Sequence, residues 1–112
     1  MKIKARTIEG VRILDCSGKI TMGEGTMALR NSVHDALQEG SNKIILNLGE
    51  VKYIDSSGIG ELVHVHNKVT DTGGQLRLLN LSKRIWDPLI ITKLMTVFEA
   101  SNDEKTALAS FH

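Results

Sequence analysis

Asp55-Ser56-Ser57-Gly58-Ile59-Gly60 sets one carboxylate, two hydroxyls and two glycines in six consecutive positions. Residues of these types can cap a helix, attack an electrophile or accept a phosphoryl group. For a cap, Asp55, Ser56 or Ser57 would accept free backbone N–H groups, while Gly58 and Gly60 would permit close approach from outside. For nucleophilic attack, the serine needs a histidine base oriented by a third group, and the pattern is not the G-x-S-x-G of a strained nucleophile turn. His34, His64, His66 and His112 stand at no spacing that points to either serine, so no catalytic residue is expected. For phosphoryl acceptance, a phosphate would bring roughly −1.5 to −2 charges to the positive end of a helix dipole, which tolerates them. Asp55 and Glu61 would oppose that charge.

Other chemistry is sparse. His64-x-His66 would share a face on a strand, but on a helix the two point about 200° apart, so no metal site is expected. His66 falls on an apolar stripe and is expected to be a satisfied, partly buried core histidine. Gly18, Gly23 and Gly25 have neither the spacing nor the lysine of a phosphate-cradling loop. They read as turn residues, and no cofactor is expected.

The elements around the Asp55 stretch follow from periodicity. Ile44, Ile45, Leu46 and Leu48 form a consecutive apolar run of buried-strand type, and Ile59, Leu62, Val63, His66 and Val69 recur at helical spacing. The stretch is therefore a strand-to-helix turn, with the helix running to about residue 72 and stopping at Gly73-Gly74. Ile3 and Ala5, then Val11, Ile13 and Cys16, give two strands joined by a Glu9-Gly10 hairpin turn. Residues 18–25 read as a short extended piece and a loop. Thr26 caps a first helix of about residues 26–39 that ends at Gly40. Leu76 and Leu78 mark another strand, and Ser82 caps a third helix in which Pro88 predicts a kink or early break. Residues 96–99 read as a last strand, and residues 101–104 open a final helix with Ala107, Leu108 and Phe111 inward. Strands alternating with helices after a hairpin predict one α/β domain over residues 1–112, with a mixed, mostly parallel sheet and about four helices. Right-handed crossovers put the Asp55 turn at the carboxyl end of the central strand, where sites gather in such sheets.

The length of 112 residues suits one domain. With a formal charge of +1 and 4% aromatic residues, the chain offers neither a basic stripe nor a stacking platform, and no nucleic-acid partner is expected. Cys16 is the single cysteine, which excludes an internal disulfide and fits a reducing compartment. The first residues lack the apolar stretch of a signal peptide, and no run approaches the ~20 apolar residues that cross a membrane. A cytoplasmic protein without membrane insertion is expected.

Asp55-Ser56-Ser57-Gly58-Ile59-Gly60 resembles the signature of the STAS domain of bacterial anti-sigma-factor antagonists. The resemblance extends through Gly73-Gly74-Gln75-Leu76-Arg77-Leu78, Leu81-Ser82-Lys83-Arg84-Ile85 and Ile91-Thr92-Lys93-Leu94. It implies a STAS fold and a binding switch rather than an enzyme. Ser56, the serine directly after the aspartate, would be the phosphoacceptor of an anti-sigma factor serine kinase, and a serine phosphatase would reverse the modification. Asp55, Ser57, Gly58 and Ile59, with the loop at Thr21, Met22, Gly23 and Glu24, would contact the partner, and Ser57 would be the cap. Unphosphorylated, the protein would hold the anti-sigma factor and free its sigma factor. Members of the family often carry carboxylates where Lys19 and Thr21 stand here, which implies either a kinase of different charge pattern or no kinase partner at all. Two alternatives remain open: a non-switching STAS scaffold in a stress-signalling or transporter complex, and a small-ligand carrier.

Overall fold

The computed structural model describes residues 1–111. In chain order it comprises β1 (Lys2–Ile8), β2 (Val11–Ile20), α1 (Glu24–Gln38), β3 (Lys43–Ile54), α2 (Ser56–Asp71), β4 (Gln75–Leu79), α3 (Lys83–Ile91), β5 (Glu99–Ser101) and α4 (Glu104–Ala109). The five strands lie in sequence order; β1 pairs antiparallel with β2, and every later neighbour pairs in parallel. The expected α/β class, with a mixed and mostly parallel sheet and four helices, is what the chain adopts. Glu9 and Gly10 turn the hairpin with φ of 53° and 80°, the pair of positive values that matches the twist of the flanking strands.

The aliphatic run of β3 is divided between two faces. Ile44, Leu46 and Leu48 join Leu29 and Val33 of α1 and Leu62, Val65 and Val69 of α2 in the main core. Ile45 instead joins Val11, Ile13, Leu79 and Ala107 beneath α4, with Leu108 and Phe111 packed at the edge. Alternation of side chains across the sheet requires this split, because a strand covered on both faces must be apolar at successive positions. On the α4 face Arg6 joins Asp15 to Glu104, Asn47 donates to Asp15, and Asn80 donates to Asn47. Burial of Cys16 pushes its thiol up to about 12, which leaves it protonated and unreactive.

Several local expectations are corrected. β2 continues to Ile20, with register shifts between Asp15 and Ser17 and between Gly18 and Lys19, so the expected extended piece is the end of β2 and the loop is confined to residues 21–23. The first helix begins at Glu24 rather than Thr26; Gly23 is its N-cap, and the Thr26 hydroxyl donates back to the Gly23 carbonyl. Ser82 precedes α3 but makes no capping bond, and its Oγ is buried without a partner. Pro88 does not break α3, which continues to Ile91. Lacking an N–H, Pro88 forfeits its own bond back to residue 84, and the helix absorbs that single loss before ending three residues later. The last strand is Glu99–Ser101, not residues 96–99, because Phe98 turns into the core and meets the edge of His66 at 5.3 Å. His66 is partly buried as expected, yet its Nδ1 has no partner, so it is not satisfied. The buried stripe of α2 includes Val65, absent from the expected set, while Ile59 and Val63 are only partly buried.

Gly58 and Gly60 separate by environment. A Cβ at Gly58 would lie 2.1 Å from the Ile20 carbonyl oxygen and 2.6 Å from Ile54 Cγ1, whereas one at Gly60 would meet nothing within 4 Å. Gly58→Ala is expected to destabilise the fold by about 1–3 kcal/mol through overpacking. Gly60→Ala is expected to stabilise it by about 0.5–1 kcal/mol through helix propensity. Urea unfolding of the two variants checks the opposite signs.

Candidate functional site

The site is built where two helices begin against one strand end. Ile20, last residue of β2, pairs with Ile54, last residue of β3, and the Asp55 N–H donates to the Ile20 carbonyl at 3.3 Å. Gly25 near the start of α1 would place a Cβ 2.4 Å from the Lys19 carbonyl oxygen, and Gly58 in the first turn of α2 is equally close to that of Ile20. Only residues without side chains allow both helices to start so near the strand. The glycine therefore serves inward packing of α2, not the outside approach expected for Gly58.

Asp55 joins the two segments. Its Oδ1 accepts the Gly58 N–H at 2.8 Å, and its Oδ2 accepts the Met22 N–H at 3.1 Å. One carboxylate thus caps α2 and pins the loop before α1. Asp55, not Ser57, is the cap, with extended backbone angles of −100° and −178°. The amides of Met22 and then Gly58 hold its carboxyl below the usual range, as charge-assisted bonds to backbone N–H groups do.

The expected site residues come together in this way. Thr21, Met22, Gly23 and Glu24 lie beside Asp55, Ser56, Ser57, Gly58 and Ile59 across the Met22–Asp55 bond. Ser56 is exposed as the first residue of α2, and Ser57 is half-buried. Neither hydroxyl has a hydrogen-bond partner among the described residues. Glu24 points to solvent and lies 3.6 Å from the amino terminus. His34 and His64 are exposed on their helices and are bonded to neither serine, and His112 lies outside the described residues.

Three residues that sequence did not single out complete the surface. Met27 and Tyr53 are 57% and 52% exposed and, with Met22 at 76%, make the surroundings of the turn apolar. Met22 was expected at this surface, whereas Met27 and Tyr53 were assigned no role from sequence. Arg30 of α1 grips Glu61 of α2 with both nitrogens, Nη2 to Oε1 at 2.6 Å and Nε to Oε2 at 3.3 Å, and the Glu61 side chain is only 3% exposed. A buried carboxylate five residues beyond Ser56 is thereby neutralised.

The Asp55 bonds have a pH signature. A depressed carboxyl stabilises the folded loop fully above its ordinary value of 3.8 and loses that contribution as pH falls through the lower folded value. Acid titration should move the amide signals of Met22 and Gly58 together, with a midpoint below 3.8. Asp55→Asn should abolish that shared transition.

Comparison with known proteins gives consistent results. A protein of Bordetella bronchiseptica provisionally named anti-sigma factor antagonist BtrV is 23% identical over 111 residues, covering 99% of this chain and 95% of its own. The crystal structure of a protein from Thermotoga maritima, named in the same provisional way, superposes with a TM-score of 0.88 at 24% identity, covering 97% and 93% of the two chains. The Bacillus cell fate determinant SpoIIAA in its phosphorylated form superposes with a TM-score of 0.72 at 18% identity, covering 96% and 97%. The STAS domain profile matches residues 2–107, and the chain belongs to the STAS domain family.

Proposed function

We propose that this protein is a phosphorylation-controlled binding switch of the anti-sigma-factor-antagonist type, with Ser56 as phosphoacceptor. The observation that carries the proposal is the exposed Ser56 hydroxyl, without a partner among the described residues, on a turn fixed by Asp55 beside exposed Met22, with Met27 and Tyr53 exposed on the adjoining α1 and β3. An apolar surface around a rigid, exposed acceptor suits a partner that must both dock and reach the hydroxyl. The names of its relatives and the phosphorylated form of SpoIIAA support the same assignment.

In the unphosphorylated state Asp55, Ser57 and Ile59 dock on the anti-sigma factor together with residues 21–24, while Gly58, expected at the same surface, is buried behind them and holds the turn in place. The partner, a serine kinase, supplies ATP; the Ser56 oxygen takes the γ-phosphoryl group, its proton is lost and ADP leaves. A serine phosphatase restores the hydroxyl with water, releasing phosphate. This chain performs neither reaction. A dianion introduced into an apolar interface weakens docking, and each ~1.4 kcal/mol lost is a factor of ten in affinity.

Ser56→Ala should block phosphorylation and keep partner binding, whereas Ser56→Asp should weaken binding about tenfold or more. Ser57→Ala should do neither. Peptide mass mapping after incubation with the kinase, and calorimetry of the complex, check these outcomes; phosphate on Ser57 with Ser56 unmodified would refute the assignment.

A further inference from the structure

β3 outruns its neighbour. Its pairing with β4 ends at Asn47 opposite Leu79, yet the strand continues to Ile54. The start of α3 lies beside this edge, which no strand pairs beyond Asn47 and where Arg84 Nη1 donates to the Lys52 carbonyl at 3.2 Å. Between them runs a groove of about 530 Å³ lined by Gly49, Val51, Lys52, Ser82, Lys83 and Arg84. Three of these residues are cationic and none is acidic. Lys52 and Lys83 are exposed and make no ion pair among the described residues. Ser82 leaves its Oγ without a partner. The local positive charge is unusual in a chain whose formal charge is only +1.

We propose that this groove is a second docking site, which takes an extended acidic segment of the partner protein. The inference rests on the reading of the chain as a partner-binding switch and adds the chemistry of the partner. An unpaired strand edge is a template for extended backbone, and flanking cations select carboxylates. Continuity with the Ser56 turn favours a segment of the same partner: Lys52 is near the end of β3, three residues before the Asp55 that caps α2. A protein bound at the Ser56 turn could therefore lay an acidic strand along the groove without leaving the first contact.

The test has two arms. At low ionic strength, an oligoglutamate peptide of about ten residues should shift the amides of residues 49–52 and 82–84 saturably, and an oligolysine of equal length should not. For the variant Lys52→Glu/Lys83→Glu, which retains Arg84, unchanged amide dispersion would verify folding, and its affinity for oligoglutamate should fall about tenfold or more. Absence of shifts, or shifts spread over the lysines of β1, would overturn the proposal. Saturation of the same amides by inorganic phosphate at lower concentration than by peptide would also overturn it, in favour of a small-anion site. With a purified anti-sigma factor kinase, the double variant should bind at least about tenfold more weakly than wild type, and equal binding contradicts the groove. Failure of the wild type to bind the kinase, with the peptide result intact, would refute the proposed function and leave the acidic preference of the groove established.

Discussion

The close approach of two helix starts to the end of β2 is the constraint on which the site depends. Gly25 and Gly58 each sit where a methyl group would strike a carbonyl oxygen of Lys19 or Ile20. Backbone contact at that distance fixes where α1 and α2 begin, and so fixes the loop of residues 21–23 against the turn at Asp55. The Asp55 carboxylate then completes the arrangement, with one oxygen on each segment. Exposed groups separated by more than thirty residues in sequence thus share one surface, an arrangement that would limit the conformational entropy lost on docking.

Electrostatics at this surface are largely settled before any modification. Asp55 is engaged by two backbone amides and Glu61 by the Arg30 guanidinium. The repulsion expected from Glu61 toward a phosphate on Ser56 is thereby offset by a cation held on the same carboxylate. Asp55 remains as a nearby negative charge, opposed by the positive end of α2. The two contributions act in opposite directions. A phosphate would therefore change the character of the surface more than the stability of the fold.

Much of this architecture was legible because its signals are local. The consecutive aliphatics of β3, the Glu9-Gly10 turn and the glycine stops after α1 and α2 each follow from the conformational demands of a few adjacent residues. β2 was truncated because Ser17, Gly18 and Lys19 interrupt its alternation at bulges, which a period-two pattern does not describe. Thr96, Val97 and Phe98 have strand-forming side chains, but burial of Phe98 against His66 places pairing one step later. Of the expected caps, Asp55 holds its position through a local bond to Gly58, Ser82 holds its position without a side-chain bond, and Gly23 displaces Thr26 because α1 starts earlier. In the same way, the Asp55–Ser56 motif was readable, but its bond to Met22 and the burial of Glu61 beneath Arg30 required the folded chain.

A switch that acts at its surface must leave the domain itself nearly unchanged. The most direct measurement is a pair of backbone amide spectra, from protein phosphorylated stoichiometrically at Ser56 and from unmodified protein. Changes confined to residues 20–27 and 54–62, with melting temperatures within a few degrees, are expected for regulation by charge and bulk at the interface. Changes extending through α3 and α4 would contradict it and show that phosphorylation acts by remodelling the fold.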